Sequence, residues 1–125
     1  MIINKKELQD ALEIVKPGLA NKELIEQSTS FAFIAGRVVT YNDEISISHP
    51  VPGLTIEGAI EAESLYKFIK KVKGDTIELT VTNNEVLLTS GKAKAGFILQ
   101  PEIKLPLKQE LKKFLQAFVH QDHIE

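Results

Sequence analysis

No cysteine occurs in this chain of 125 residues, so it has no disulfide framework, no thiolate metal ligand and no thiol nucleophile. A chain without disulfides fits a reducing compartment, and the expected location is cytoplasmic. No apolar run approaches the roughly 20 residues of a membrane span. The opening Met1-Ile2-Ile3-Asn4-Lys5-Lys6-Glu7 passes straight into amphipathic sequence and lacks the apolar core of a signal peptide. An excess of one charge is missing too. Fifteen Lys and Arg against 17 Asp and Glu leave a formal net charge of −2, which argues against a histone-like surface that neutralises nucleic acid everywhere. A basic strip on one face of an acidic body is still allowed, so the placement of the lysines matters more than their number. There is no P-loop, no glycine-rich dinucleotide turn and no paired catalytic carboxylate pattern. Ser46, Ser48, Ser64 and Ser90 have no His–Asp partner that the sequence supplies. Neither an enzyme nor a bound cofactor is expected.

What is present is a repeat. With 43% hydrophobic and 26% charged residues, the chain has enough material for one domain with a core and room for an appendage. Leu8, Ala11, Leu12 and Val15 form one helical apolar stripe; Leu65, Phe68, Ile69 and Val72 form a second; Leu111, Phe114, Leu115 and Phe118 form a third. Asn4 is placed to cap the first helix, with Glu7 three residues on, and Pro17-Gly18 stops it after Lys16. Strands are predicted over 30–35, 38–41, 44–49 and 54–61, then a helix over 62–72 that ends at a left-handed Gly74. Strands over 76–82, 85–90 and 93–99 follow, with Asn83-Asn84 as a hairpin turn. A further strand is placed at 102–105, and Pro106 opens the third helix.

The two halves overlay as strand, helix and three strands. Ile3, Leu8, Leu12 and Val15 match Ile60, Leu65, Ile69 and Val72, and Phe31, Phe33, Val38 and Val39 match Leu79, Val81, Val86 and Leu87. The fold class is therefore α+β, a small pseudo-symmetric domain built by duplication. The third helix either begins another copy of the unit or caps the single domain from outside.

The second helix carries the most informative polar face. With its apolar stripe on a sheet, its other side displays Lys67, Lys70 and Lys71, with Lys73 at its exit. Lysines at three- and four-residue steps can follow a phosphate backbone. They also fit a solvated face favoured by the helix dipole. No paired Arg and Asn of a base-reading set accompanies them. The first helix mixes Lys6 and Lys16 with Asp10 and Glu13, whose carboxylates repel phosphate, so weak phosphate contact is expected there, mainly from Lys6 and Lys16. The third again sets Lys108, Lys112 and Lys113 opposite its stripe. His120, Asp122, His123 and Glu125 have zinc-compatible spacing only on a held helix, and at a chain end no metal site is expected.

The order of several soft motifs resembles a known family. Leu8, Ala11, Leu12 and Val15 followed by Pro17-Gly18-Leu19 look like the opening of the bacterial-type DNA sliding clamp, the beta subunit of the replicative polymerase. Ile56-Glu57-Gly58-Ala59-Ile60-Glu61-Ala62, with Leu65, Phe68 and Ile69, is similar to the entry of that domain's second helix. Glu85 to Phe97 resembles its closing hairpin, and Ile103-Lys104-Leu105-Pro106 the start of the next domain. The resemblance implies the DNA clamp fold, with antiparallel sheets and two helices on one face. It implies a clamp domain over 1–100 and the start of a second over 101–125. It further implies a non-enzymatic processivity factor that helps a ring encircle double-stranded DNA. The implied partners are the replicative DNA polymerase and the clamp loader, engaged through other parts of a longer protein, together with ring-forming copies. Lys22 falls in the loop where such clamps place a basic residue against DNA. The competing reading is a clamp-like protein-interaction module that does not bind DNA.

Overall fold

The computed structural model describes residues 1–23, 25–42 and 44–105. Its elements run β1 (Ile2–Asn4), α1 (Lys5–Val15), β2 (Ser30–Ile34), β3 (Arg37–Tyr41), β4 (Ser46–Pro50), β5 (Gly58–Glu61), α2 (Ala62–Lys71), β6 (Thr76–Thr82), β7 (Glu85–Ser90) and β8 (Ala93–Ile98). The expected 54–61 strand is shorter, and Leu54 and Ile56 are buried without joining a sheet. The expected 102–105 strand does not form.

Both helices start as their caps require. Asn4 has an extended backbone, and its side chain accepts from the Glu7 backbone N–H at 2.9 Å. At the matching place in the second half, the Glu61 carboxylate accepts from the Ser64 backbone N–H at 3.1 Å. Leu8, Ala11, Leu12 and Val15 of α1 are all buried, as are Ala62, Leu65 and Ile69 of α2. A 3₁₀ turn over Lys16–Gly18 continues α1, and the Thr40 hydroxyl donates to the Val15 carbonyl beneath it. The exit from α2 differs from expectation. Val72, not Gly74, ends the helix by turning extended (φ −67°, ψ 130°), which buries its side chain in the core.

Two four-stranded antiparallel sheets share that core, in the orders β1-β6-β7-β8 and β4-β3-β2-β5. The strand before each helix therefore joins the other half's sheet: Ile3 pairs with Ile77, and Ile60 pairs with Phe31. These pairings make Phe31 the counterpart of Ile77, and Phe33 the counterpart of Leu79. The sequence overlay is thus two residues out of register in the strands. A slip of two keeps every side chain on its own face, so alternation alone could not detect it.

The chain leaving β8 crosses to the second sheet. Ala59 and Gln100 exchange backbone hydrogen bonds at 2.8 and 2.9 Å. The crossing is so close that a Cβ on Gly58 would lie 2.6 Å from the Gln100 carbonyl oxygen and 2.7 Å from the Leu99 side chain. Residues 101–105 then run irregularly over the outer face, where Ile103 and Leu105 bury against Ala32, Ile34 and Val39 with Tyr41 alongside. Gln27 holds this strap. Its amide nitrogen donates to the Gln100 side chain and to the Glu102 carbonyl, each at 2.9 Å, and its oxygen accepts from the Lys104 N–H at 2.7 Å. Among the described residues, no helix is long and apolar enough to cross a membrane.

Candidate nucleic-acid interface

The polar faces of α1 and α2 meet beside an open groove of about 610 Å³, lined by Lys16, Asn21, Thr29, Tyr66, Lys67 and Lys70 among others. Packing of the two apolar stripes into one core sets these faces next to each other. Tyr66 lies at their junction. The Lys16 ammonium sits 4.1 Å from its ring centroid and that of Lys70 5.6 Å, both within cation–π reach. The Tyr66 hydroxyl donates to the Glu13 carboxylate at 2.9 Å, which ties α2 to α1.

The carboxylates near the groove are largely engaged. Glu13 also accepts from the Gln9 amide at 3.0 Å, and the bonds from Gln9 and Tyr66, in that order of effect, hold it below the usual carboxylate range. Its acceptance from Tyr66 pushes the phenol above its ordinary value, because ionisation would give up the hydrogen bond the phenol donates and would also set two negative charges against each other. Glu61 is likewise lowered, chiefly by the Ser64 hydroxyl it accepts from. Glu63 pairs with Lys67 at 3.0 Å on an exposed face, an ion pair of the kind worth little in water and open to competition from phosphate.

The structure brings Lys16, Lys67 and Lys70 to this one groove. Lys71 and Lys73 are exposed but lie outside its lining. Lys22 belongs to a neighbouring polar depression in the 19–28 loop. Lys6 is turned to Asp10, 3.0 Å away, within α1. Lys108, Lys112 and Lys113, the third helix, and the His120–His123 pair lie outside the described residues.

The halves are not equivalent in charge. Counting from their caps, Gln9, Asp10 and Glu13 of α1 occupy the places of Tyr66, Lys67 and Lys70 of α2. The duplicated scaffold thus presents acid on one helix and base on the other. Sequence reasoning singled out the lysines but missed Tyr66, although it lies one turn before Lys70 on the same side.

Comparison with known proteins bears on the fold. No family model matches the sequence, and no curated protein matches it. Solved structures do. A DNA polymerase III beta subunit from Thermotoga maritima matches with a TM-score of 0.71 and 18% identity, over 84% of this chain and 31% of its own. The beta subunit from the DNA polymerase of Streptococcus pyogenes gives 0.69 and 23%, over 84% and 31%. The DNA polymerase sliding clamp of Bacillus subtilis gives 0.66 and 22%, over 78% and 30%. The fold is that of a DNA sliding-clamp domain, as the sequence motifs implied. The chain spans less than a third of the length of these clamps.

Proposed function

We propose that this chain is a domain of a DNA polymerase processivity clamp, a non-enzymatic element that helps a ring encircle double-stranded DNA without regard to sequence. The observation that carries the reading is the row of exposed lysines on α2, joined by Lys16 at one groove, on a fold shared with polymerase beta subunits. Ammonium groups on flexible stems can neutralise phosphates without base readout, so a duplex can slide past them. In this reading residues 1–100 form the clamp domain and 101–125 lead into a second one. Further domains complete the ring and bind the replicative polymerase and clamp loader. The cell compartment proposed is the cytoplasm, where such a ring would meet DNA.

A reading as a protein-interaction module without DNA draws on Asp10 and Glu13 beside the lysines, and on the Lys6 and Lys67 ion pairs. Charge reversal separates the two. The chain should bind a short duplex weakly, with log K falling as log salt rises. Changing Lys67, Lys70 and Lys71 to Glu together should lower that slope by roughly 0.9 for each phosphate that is no longer neutralised. An unchanged slope in the folded triple variant refutes the DNA reading.

A further inference from the structure

Two like charges gathered at one aromatic ring call for an explanation. Lys16 belongs to the turn after α1 and Lys70 to the last turn of α2, yet both ammonium groups lie within 6 Å of the Tyr66 centroid. Their mutual repulsion works against this arrangement in the free protein, whereas an anion in the groove would relieve it. The ring is held by its hydroxyl, bonded to Glu13, which Gln9 in turn orients. Glu61 and Glu63 also line the groove; Glu63 is paired with Lys67, whereas no ion pair among the described residues involves Lys16 or Lys70, which leaves these two ammonium groups available to an anion.

We infer that Tyr66 gathers Lys16 and Lys70 into one phosphate-binding locus for duplex DNA, with Glu13 as the positioning residue that holds the ring. This rests on the DNA reading above. It adds that the two lysines act as a unit across the helices, and that an acidic residue beside the DNA assists binding by holding Tyr66. Charge counting alone gives the opposite sign for Glu13, because removing a carboxylate near phosphate should always tighten binding.

The test uses anisotropy titrations of a short duplex at several salt concentrations. Tyr66→Leu should lower the salt slope as much as the Lys16→Ala/Lys70→Ala double variant, by up to about 0.9 per lysine. Tyr66→Phe keeps the ring but loses its bond to Glu13, so its slope should fall between those of wild type and Tyr66→Leu. Glu13→Gln and Glu13→Ala remove the same charge, but only Gln preserves an acceptor for the phenol, so Glu13→Gln should bind more tightly than Glu13→Ala. The chain has no tryptophan and only two tyrosines. In a Tyr41→Phe background, Tyr66 emission should therefore change in step with duplex binding. Equal binding by the two Glu13 variants, or a wild-type slope in folded Tyr66→Leu, overturns the unit while leaving the DNA reading intact. Absence of salt-dependent binding by the wild-type chain overturns both. Should Tyr66→Leu not fold, the Glu13 pair and the emission titration decide the matter.

Discussion

Replacing Gln27 tests how the strap is held. The residue is 2% exposed, and its backbone is left-handed at φ 67°, an arrangement that costs a non-glycine residue about 1–2 kcal/mol. Three hydrogen bonds to Gln100, Glu102 and Lys104 offset that cost. At roughly 0.5–1.5 kcal/mol net for each bond, the amide contributes about 1.5–4.5 kcal/mol. Gln27→Ala keeps the backbone strain and removes the bonds, so it should destabilise by about 2–4 kcal/mol in urea unfolding. Gln27→Gly removes the same bonds but relieves the strain, and should be roughly 1 kcal/mol more stable than Gln27→Ala. Hydrogen exchange should show early loss of protection at the Lys104 amide, which donates to the Gln27 side chain, in both variants. A Gln27→Ala protein within about 0.5 kcal/mol of wild type, with that amide still protected, would falsify the reasoning. A glycine variant weaker than the alanine variant would refute its backbone part.

Two further outcomes concern the turns and the helix pair. In the β2–β3 hairpin both Ala35 (φ 53°) and Gly36 (φ 74°) are left-handed; Ala35→Asn restores the Asn-Gly pairing such turns favour and should stabilise by up to about 1 kcal/mol in thermal unfolding. Ultraviolet titration should find Tyr66 ionising above the ordinary phenol value and returning toward it in Glu13→Ala. The sign for stability follows from the directions of the shifts. Glu13 is lowered in the fold, so its small contribution is present above the ordinary carboxylate value and is lost as pH falls through its lowered one. Tyr66 is raised, so its contribution holds below the ordinary phenol value and is lost as pH climbs past its raised one.

Much of the fold was legible because burial imposes periodicity. The stripes at Leu8–Val15 and Leu65–Val72, the cap at Asn4 and the turn at Asn83-Asn84 all reflect local rules that tertiary packing left standing. Pairing partners were not legible. Alternation shows which face of β1 or β5 is apolar but not which sheet it enters, and a two-residue slip between Phe31 and Ile77 leaves no trace in the pattern. Local propensity also failed at Val72, where core burial overrode a glycine two residues later that suited a helix end. For the candidate site, helical spacing brought out Lys67, Lys70 and Lys71, since that rule needs only one element. Convergence of Lys16 on Tyr66 depends on how α1 and α2 pack, and single-helix spacing cannot express it. Gln27 was hidden for a similar reason: its partners lie more than 70 positions away.

The crossed strands carry a consequence for how this domain can come apart. Residues 1–50 contain β2, β3 and β4 but hold β1 with no sheet to join, while residues 58–105 hold β5 in the same position. Each half supplies the other's missing edge, so neither half can unfold without stripping a strand from the other's sheet. The domain should unfold as a single cooperative unit, despite its two-part sequence. A chain severed between 51 and 57 should yield two fragments that stay unstructured alone and regain the fold when mixed. By the same logic, a protein made of one half only would have to exchange first strands with a second copy, and such a swapped dimer is the simplest ancestor consistent with this architecture.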